Sequence, residues 1–146
     1  MNQRLKNVRP PRFAAFTLAV LFTTAYSTAT LGDDIKVRLS GDQEVPPVTT
    51  KALGSGTIVI GTDKSVSGGV TTTGIQGTAA HIHVGQAGTN GPVAVPLAQN
   101  GDYGWSAPPG AKLSDAQYQN YKAGDLYVNV HSAAHPDGEI RGQLKP

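Results

Sequence analysis

Short alternating runs, each closed within a few positions by glycine or proline, constrain this chain to a β fold. Successive side chains of a strand point to opposite faces. Residues 35–39 therefore place Ile35, Val37 and Leu39 on one side, and residues 126–131 place Leu126, Val128 and Val130 inward with Tyr127, Asn129 and His131 on the other side. Further strands are expected at 56–60, 65–73, 79–84, 93–97, 103–105 and 139–144. Gly68-Gly69 inside the third run points to a bulge or a close backbone approach. Pro46-Pro47 forbids a central strand over 40–48, which reads as an edge or a sheet-crossing segment. One helix is expected over 115–122. Ser114 is its N-cap, Gln117 completes a capping box, Gly124 is the stop, and Tyr118 and Tyr121 share a face that docks on the sheet. Seven to eight short strands with turns between them imply an all-β domain, an antiparallel Greek-key or immunoglobulin-like sandwich or barrel with one short helix.

The N-terminal end has a different character. Arg4, Lys6, Arg9 and Arg12 precede an apolar run over 13–25 and the small-residue triplet Ser27-Thr28-Ala29. This is the pattern of a secretory signal peptide, with cleavage expected after Ala29. An uncleaved anchor is the alternative, although the run is short against the ~20 residues that span a bilayer. The domains are thus 1–29, signal peptide, and 30–146, a single β domain of periplasmic or secreted location with no membrane association after cleavage. The chain carries 12 Lys and Arg against 10 Asp and Glu. Four of the bases and none of the acids lie in 1–29, which leaves eight against ten, a net of −2 for 30–146. The basic balance belongs to the leader and does not argue for nucleic acid as a partner. Cysteine is absent and the one methionine is Met1, so an exported domain has no disulfides and no soft sulfur ligands.

The chemistry lies in four histidines. His81 and His83 stand two apart in Ala79-Ala80-His81-Ile82-His83-Val84, so both project from one face of a strand, roughly 7 Å apart at Cα. His131 and His135 form a second group near the C-terminus. The expectation is that the fold joins the two groups into one metal site of His81, His83, His131 and His135. Imidazoles without thiolate suit Cu(II), Zn(II) or Ni(II), and copper stands highest in the affinity order. Cu(II) is expected, with zinc as the alternative. Calcium fits poorly, because Asp102, Asp125, Asp137 and Glu139 are scattered and no EF-hand spacing is present. There is no G-x-S-x-G and no cysteine nucleophile, and the Gly-rich loop over 85–92 lacks the lysine and helix of a phosphate loop.

Three stretches, LSGDQEVPPV at 39–48, AAHIHVGQAGTNGPVAVPL at 79–97 and GDLYVNVHSAAHPDGEIRGQL at 124–144, together with their spacing, resemble the CHRD domain family. The resemblance covers nearly all of 30–146. It implies an immunoglobulin-like β-barrel and an extracellular setting. Through chordin, an antagonist of growth factors, it also implies a protein-binding role. A narrower likeness is to the copper site of copper-zinc superoxide dismutase, a Greek-key barrel with H-x-H on one strand. That likeness implies His81, His83 and His131 as copper ligands and Arg141 as an anion-guiding cation, although the spacing of Arg141 from His131 does not match. The bridging and zinc-site histidines and the disulfide of that enzyme have no counterparts, so any such chemistry would be copper-only. The functions that follow are an exported copper carrier, buffer or homeostasis protein, a copper-only dismutase-like enzyme in which Arg141 serves catalysis, or a non-catalytic extracellular module that binds protein or carbohydrate. A binding role is favoured over catalysis. The sequence specifies neither a protein partner nor an oligomeric state.

Overall fold

The computed structural model describes residues 31–146. The segment expected to be a signal peptide, with its expected cleavage point, lies outside the described residues. Among the described residues nine strands and one α-helix follow in chain order: β1 (Gly32–Ser40), β2 (Leu53–Gly61), β3 (Val66–Thr73), β4 (Gly77–Val84), β5 (Val93–Pro96), β6 (Ala98–Asn100), β7 (Gly104–Ser106), α1 (Asp115–Ala123), β8 (Leu126–Ser132) and β9 (Ile140–Leu144). All pairings between strands are antiparallel, in the order β5-β4-β8-β9-β1-β2-β3-β7-β6. The two ends of this sheet are continuous in sequence. β5 runs into β6 through Leu97, whose N–H donates to the Ala80 carbonyl at 2.9 Å. The sheet thus curls into a nearly closed barrel, which leaves few unpaired edge groups for other chains to template on.

The inward residues are the ones the alternation selects. Ile35, Val37 and Leu39 of β1, Ile58 and Ile60 of β2, Ile82 of β4 and Leu126, Val128 and Val130 of β8 are all buried in one apolar cluster. The strand count is nine where seven to eight were expected. The extra strand, β6, includes Asn100, which the local sequence marks as the start of a turn. Residues 41–43 form a 3-10 turn, consistent with the double proline that follows and excludes a strand. Gly68 and Gly69 mark a close approach: a Cβ on Gly68 would lie 2.2 Å from the Thr57 carbonyl oxygen, and one on Gly69 2.2 Å from that of Trp105.

Helix α1 begins at the capping box. The Gln117 backbone N–H donates to Ser114 Oγ, the Ser114 N–H donates to Gln117 Oε1, and Gly124 closes the helix with a left-handed φ of 80°. Tyr121 is buried, and its hydroxyl donates to Asp33 Oδ2 at 2.6 Å, which ties the helix to the start of β1. No helix among the described residues is long and apolar enough to cross a membrane.

Candidate metal centre

β4 and β8 are neighbours, and their register decides which side chains meet. Ala79 pairs with His131, His81 with Asn129 and His83 with Tyr127. Directly paired residues share a face, so these polar side chains stand opposite the buried Ala80, Ile82, Val128 and Val130. β9 extends the same face, with Asn129 paired to Arg141 and Tyr127 to Gln143. The alternation alone suggests a face turned to solvent or to a shallow groove. Instead Tyr127, Asn129 and Arg141 are buried there.

The cover is the loop 85–92. Arg141 donates to the carbonyls of Thr89 and Gln86 at 2.8 and 2.9 Å, and Gln143 donates to the Gly85 carbonyl at 2.8 Å. The loop's own Asn90 Nδ2 donates to the Val45 carbonyl at 2.7 Å, pinning it to the segment after the 3-10 turn. These loop carbonyls have no strand partner, and Arg141 and Gln143 supply the donors.

Beside this cover, with His83 beneath it, three imidazoles converge. One ligand atom from each of His81, His83 and His131 lies within 4.8 Å of the others, a grouping that can hold a metal ion. Their tautomers follow from their partners. His83 Nδ1 is 2.9 Å from the Gly91 carbonyl oxygen, and His131 Nδ1 is 2.9 Å from that of Pro136. A carbonyl only accepts, so each Nδ1 carries the proton and each Nε2 keeps its lone pair. His131 Nε2 lies 3.0 Å from His81 Nδ1. His83 Nε2 is buried with no hydrogen-bond partner. Nitrogens that share a tetrahedral ion at about 2.0–2.1 Å stand roughly 3.4 Å apart, which falls between the closest separation here and the widest. A buried lone pair without a donor, next to two further imidazole nitrogens, fits a cation. Backbone carbonyls that fix the far nitrogen of a ligating histidine are a usual second layer of metal sites.

The ring planes are held as well. The His83 imidazole stacks on Tyr127, with centroids 4.9 Å apart and planes 3° from parallel, and Arg141 Cζ lies 3.4 Å from the Tyr127 centroid. Burial pushes the His83 pKa below its usual value, with the Gly91 carbonyl partly opposing. Burial also lowers His81, followed by the charges His131 and His83 would carry. Both shifts favour neutral rings, the form that binds metal.

Of the four histidines, three meet. His135 does not join the group. It sits in the turn between β8 and β9, where its carbonyl accepts from the Gly138 and Ser132 N–H groups. The residue after it, Pro136, is the one that orients His131. Arg141 is 1% exposed, with its guanidinium engaged by the loop carbonyls. The sequence reading did not single out Gly91, Tyr127, Asn129 or Glu44. Tyr127 and Asn129 share the phase of His131 in β8, which is the signal that could have found them. Glu44 is 5% exposed with Oε1 unpartnered.

No curated protein and no solved structure matches the chain. A family model described as the CHRD domain matches residues 35–144.

Proposed function

The chain belongs to the CHRD domain family, and from that premise we propose that it is an exported β-module that holds one copper ion through His81, His83 and His131. The observation that carries this reading is the unpartnered, buried Nε2 of His83 beside two other imidazoles whose orientation is fixed. Leaving such a group unpaired costs about 1–3 kcal/mol, and a cation removes that cost. Copper is preferred because nitrogen donors without sulfur suit Cu(II), which stands above zinc in the affinity order.

The residues divide the work. Gly91 and Pro136 hold the protons on the far nitrogens of His83 and His131, so both Nε2 atoms stay ready to donate. His81 Nδ1 hydrogen-bonds to His131 Nε2 in the metal-free form. To hold an ion through Nδ1, His81 would carry its proton on Nε2 instead. A copper ion held by these residues would supply a Cu(II)/Cu(I) couple. Arg141 is committed to the covering loop, which weighs against its drawing anions to the metal and favours carriage or buffering over superoxide turnover.

The leader pattern supports a periplasmic or extracellular setting for this reading. Protein recovered from that fraction of its native host should have lost about 29 residues from the precursor and should carry near-stoichiometric copper by elemental analysis. His83→Ala should carry little. Metal-free wild-type protein with unchanged fold would leave the protein-binding module as the better reading.

A further inference from the structure

His81, His83 and His131 supply three donors, and His135 lies elsewhere. The face that holds them contains a fourth polar group with no partner. Asn129 is 3% exposed, and its Oδ1 has no hydrogen bond. In register it stands directly across from His81, and it is two residues before His131 on the same side of β8. Paired side chains have Cβ atoms about 4.5–5.5 Å apart, so Asn129 stands beside the histidine group.

The amide's orientation follows from its other side. A Cβ on Gly138 would lie 2.6 Å from Glu44 Oε1 and 2.8 Å from Asn129 Nδ2. Nδ2 is therefore turned toward Gly138 and Glu44, which directs Oδ1 toward the imidazoles. The amide is close enough to His83 to accept from that ring when it is protonated, which raises the ring's pKa, whereas the neutral ring with its proton on Nδ1 leaves Oδ1 unpartnered. His83 Nε2 and Asn129 Oδ1 are thus two buried lone-pair donors in one enclosure, and neither has a proton to offer the other. A buried amide oxygen is normally bonded. One cation satisfies both atoms.

We propose that the amide oxygen of Asn129 is the fourth donor of the histidine site. This rests on the reading that the three histidines hold a divalent ion. An oxygen donor beside three imidazoles favours Cu(II) or Zn(II) and disfavours Cu(I), which prefers soft ligands. Asn129 is then a specificity determinant as well as a ligand. Glycine at 138 keeps the space that its Nδ2 occupies.

The test titrates CuCl2, against a competing chelator, into wild type, Asn129→Asp, Asn129→Leu and His83→Ala, with the Cu(II) EPR spectrum recorded for each. Asn129→Leu should weaken binding roughly 10- to 100-fold and alter the g and copper hyperfine values. Asn129→Asp, nearly isosteric and a stronger donor, should bind at least as tightly as wild type with a shifted spectrum. If Asn129→Leu fails to fold, Asn129→Asp decides alone. Wild-type affinity and an unchanged spectrum in the Asn129 variants, alongside lost binding in His83→Ala, would overturn this proposal and leave the three-histidine reading standing. Binding by His83→Ala equal to wild type would overturn both.

Discussion

Glu44 is a carboxyl enclosed by the segment after the 3-10 turn, with Gly138 against its Oε1 and Arg141 its nearest charge influence. Burial pushes its pKa from an ordinary 4.5 up to about 7, and Arg141 only partly offsets this. The folded state then holds a proton that the unfolded state has released between those values. Stability from this group is full below about pH 4.5 and is lost as pH rises through about 7. The histidines act in the opposite sense. Their lowered values mean that the metal-free fold loses stability as pH falls below ~6.5. Glu44→Gln, which mimics the protonated form, separates the two. It should match wild type near pH 4.5 and exceed it by ~1–2 kcal/mol at pH 8, after allowance for partial screening. Urea unfolding at a series of pH values measures this. A difference that stays constant with pH would show that Glu44 does not titrate in this window.

At the scale of elements, the site is two strands and a loop. Gly91 lies so close to β4 that a Cβ there would stand 1.6 Å from the Val84 carbonyl oxygen, while its own carbonyl orients His83. Gly91→Ala must push the loop off the strand. It should cost about 1–3 kcal/mol, as overpacking does, and weaken copper binding roughly 10- to 100-fold through the lost hold on His83. Denaturant midpoints and copper titration of the same sample check both. Wild-type affinity in this variant would mean that the loop does not orient the ligand. The strands themselves were legible in the sequence, because alternation reports directly which side chains share a face. Val128 and Val130 inward with His131 opposite is what the structure contains. The α1 cap was legible because Ser114, Gln117 and Gly124 act within a few residues of one another. The loop 85–92 was legible as a loop but not as a cover. Apart from the Asn90 side chain, its contacts run through the carbonyls of Gly85, Gln86, Thr89 and Gly91, which every residue possesses. His135 stands apart from the group of three, and what its turn contributes is the backbone oxygen of Pro136.

At the scale of the whole molecule, the barrel explains how histidines 50 residues apart in sequence come to stand 3.0 Å apart. β4 and β8 pair along nearly their full length, so the register that buries Ile82 and Val128 also sets His81 and His83 beside His131. The apolar face carries the fold and the polar face carries the site, and each can change without destroying the other. Removing any one imidazole should therefore leave the domain folded and its metal site broken. Calorimetric titration of Cu(II) into wild type, His81→Ala, His83→Ala, His131→Ala and His135→Ala at neutral pH tests this most directly. The account predicts one ion per chain in wild type and in His135→Ala, with affinity falling only once pH drops below ~6.5, because burial lowers His81 and His83, and large losses in the other three with unchanged circular dichroism. Wild-type binding by two of those three would contradict it, because the histidine groups would then not act as one site.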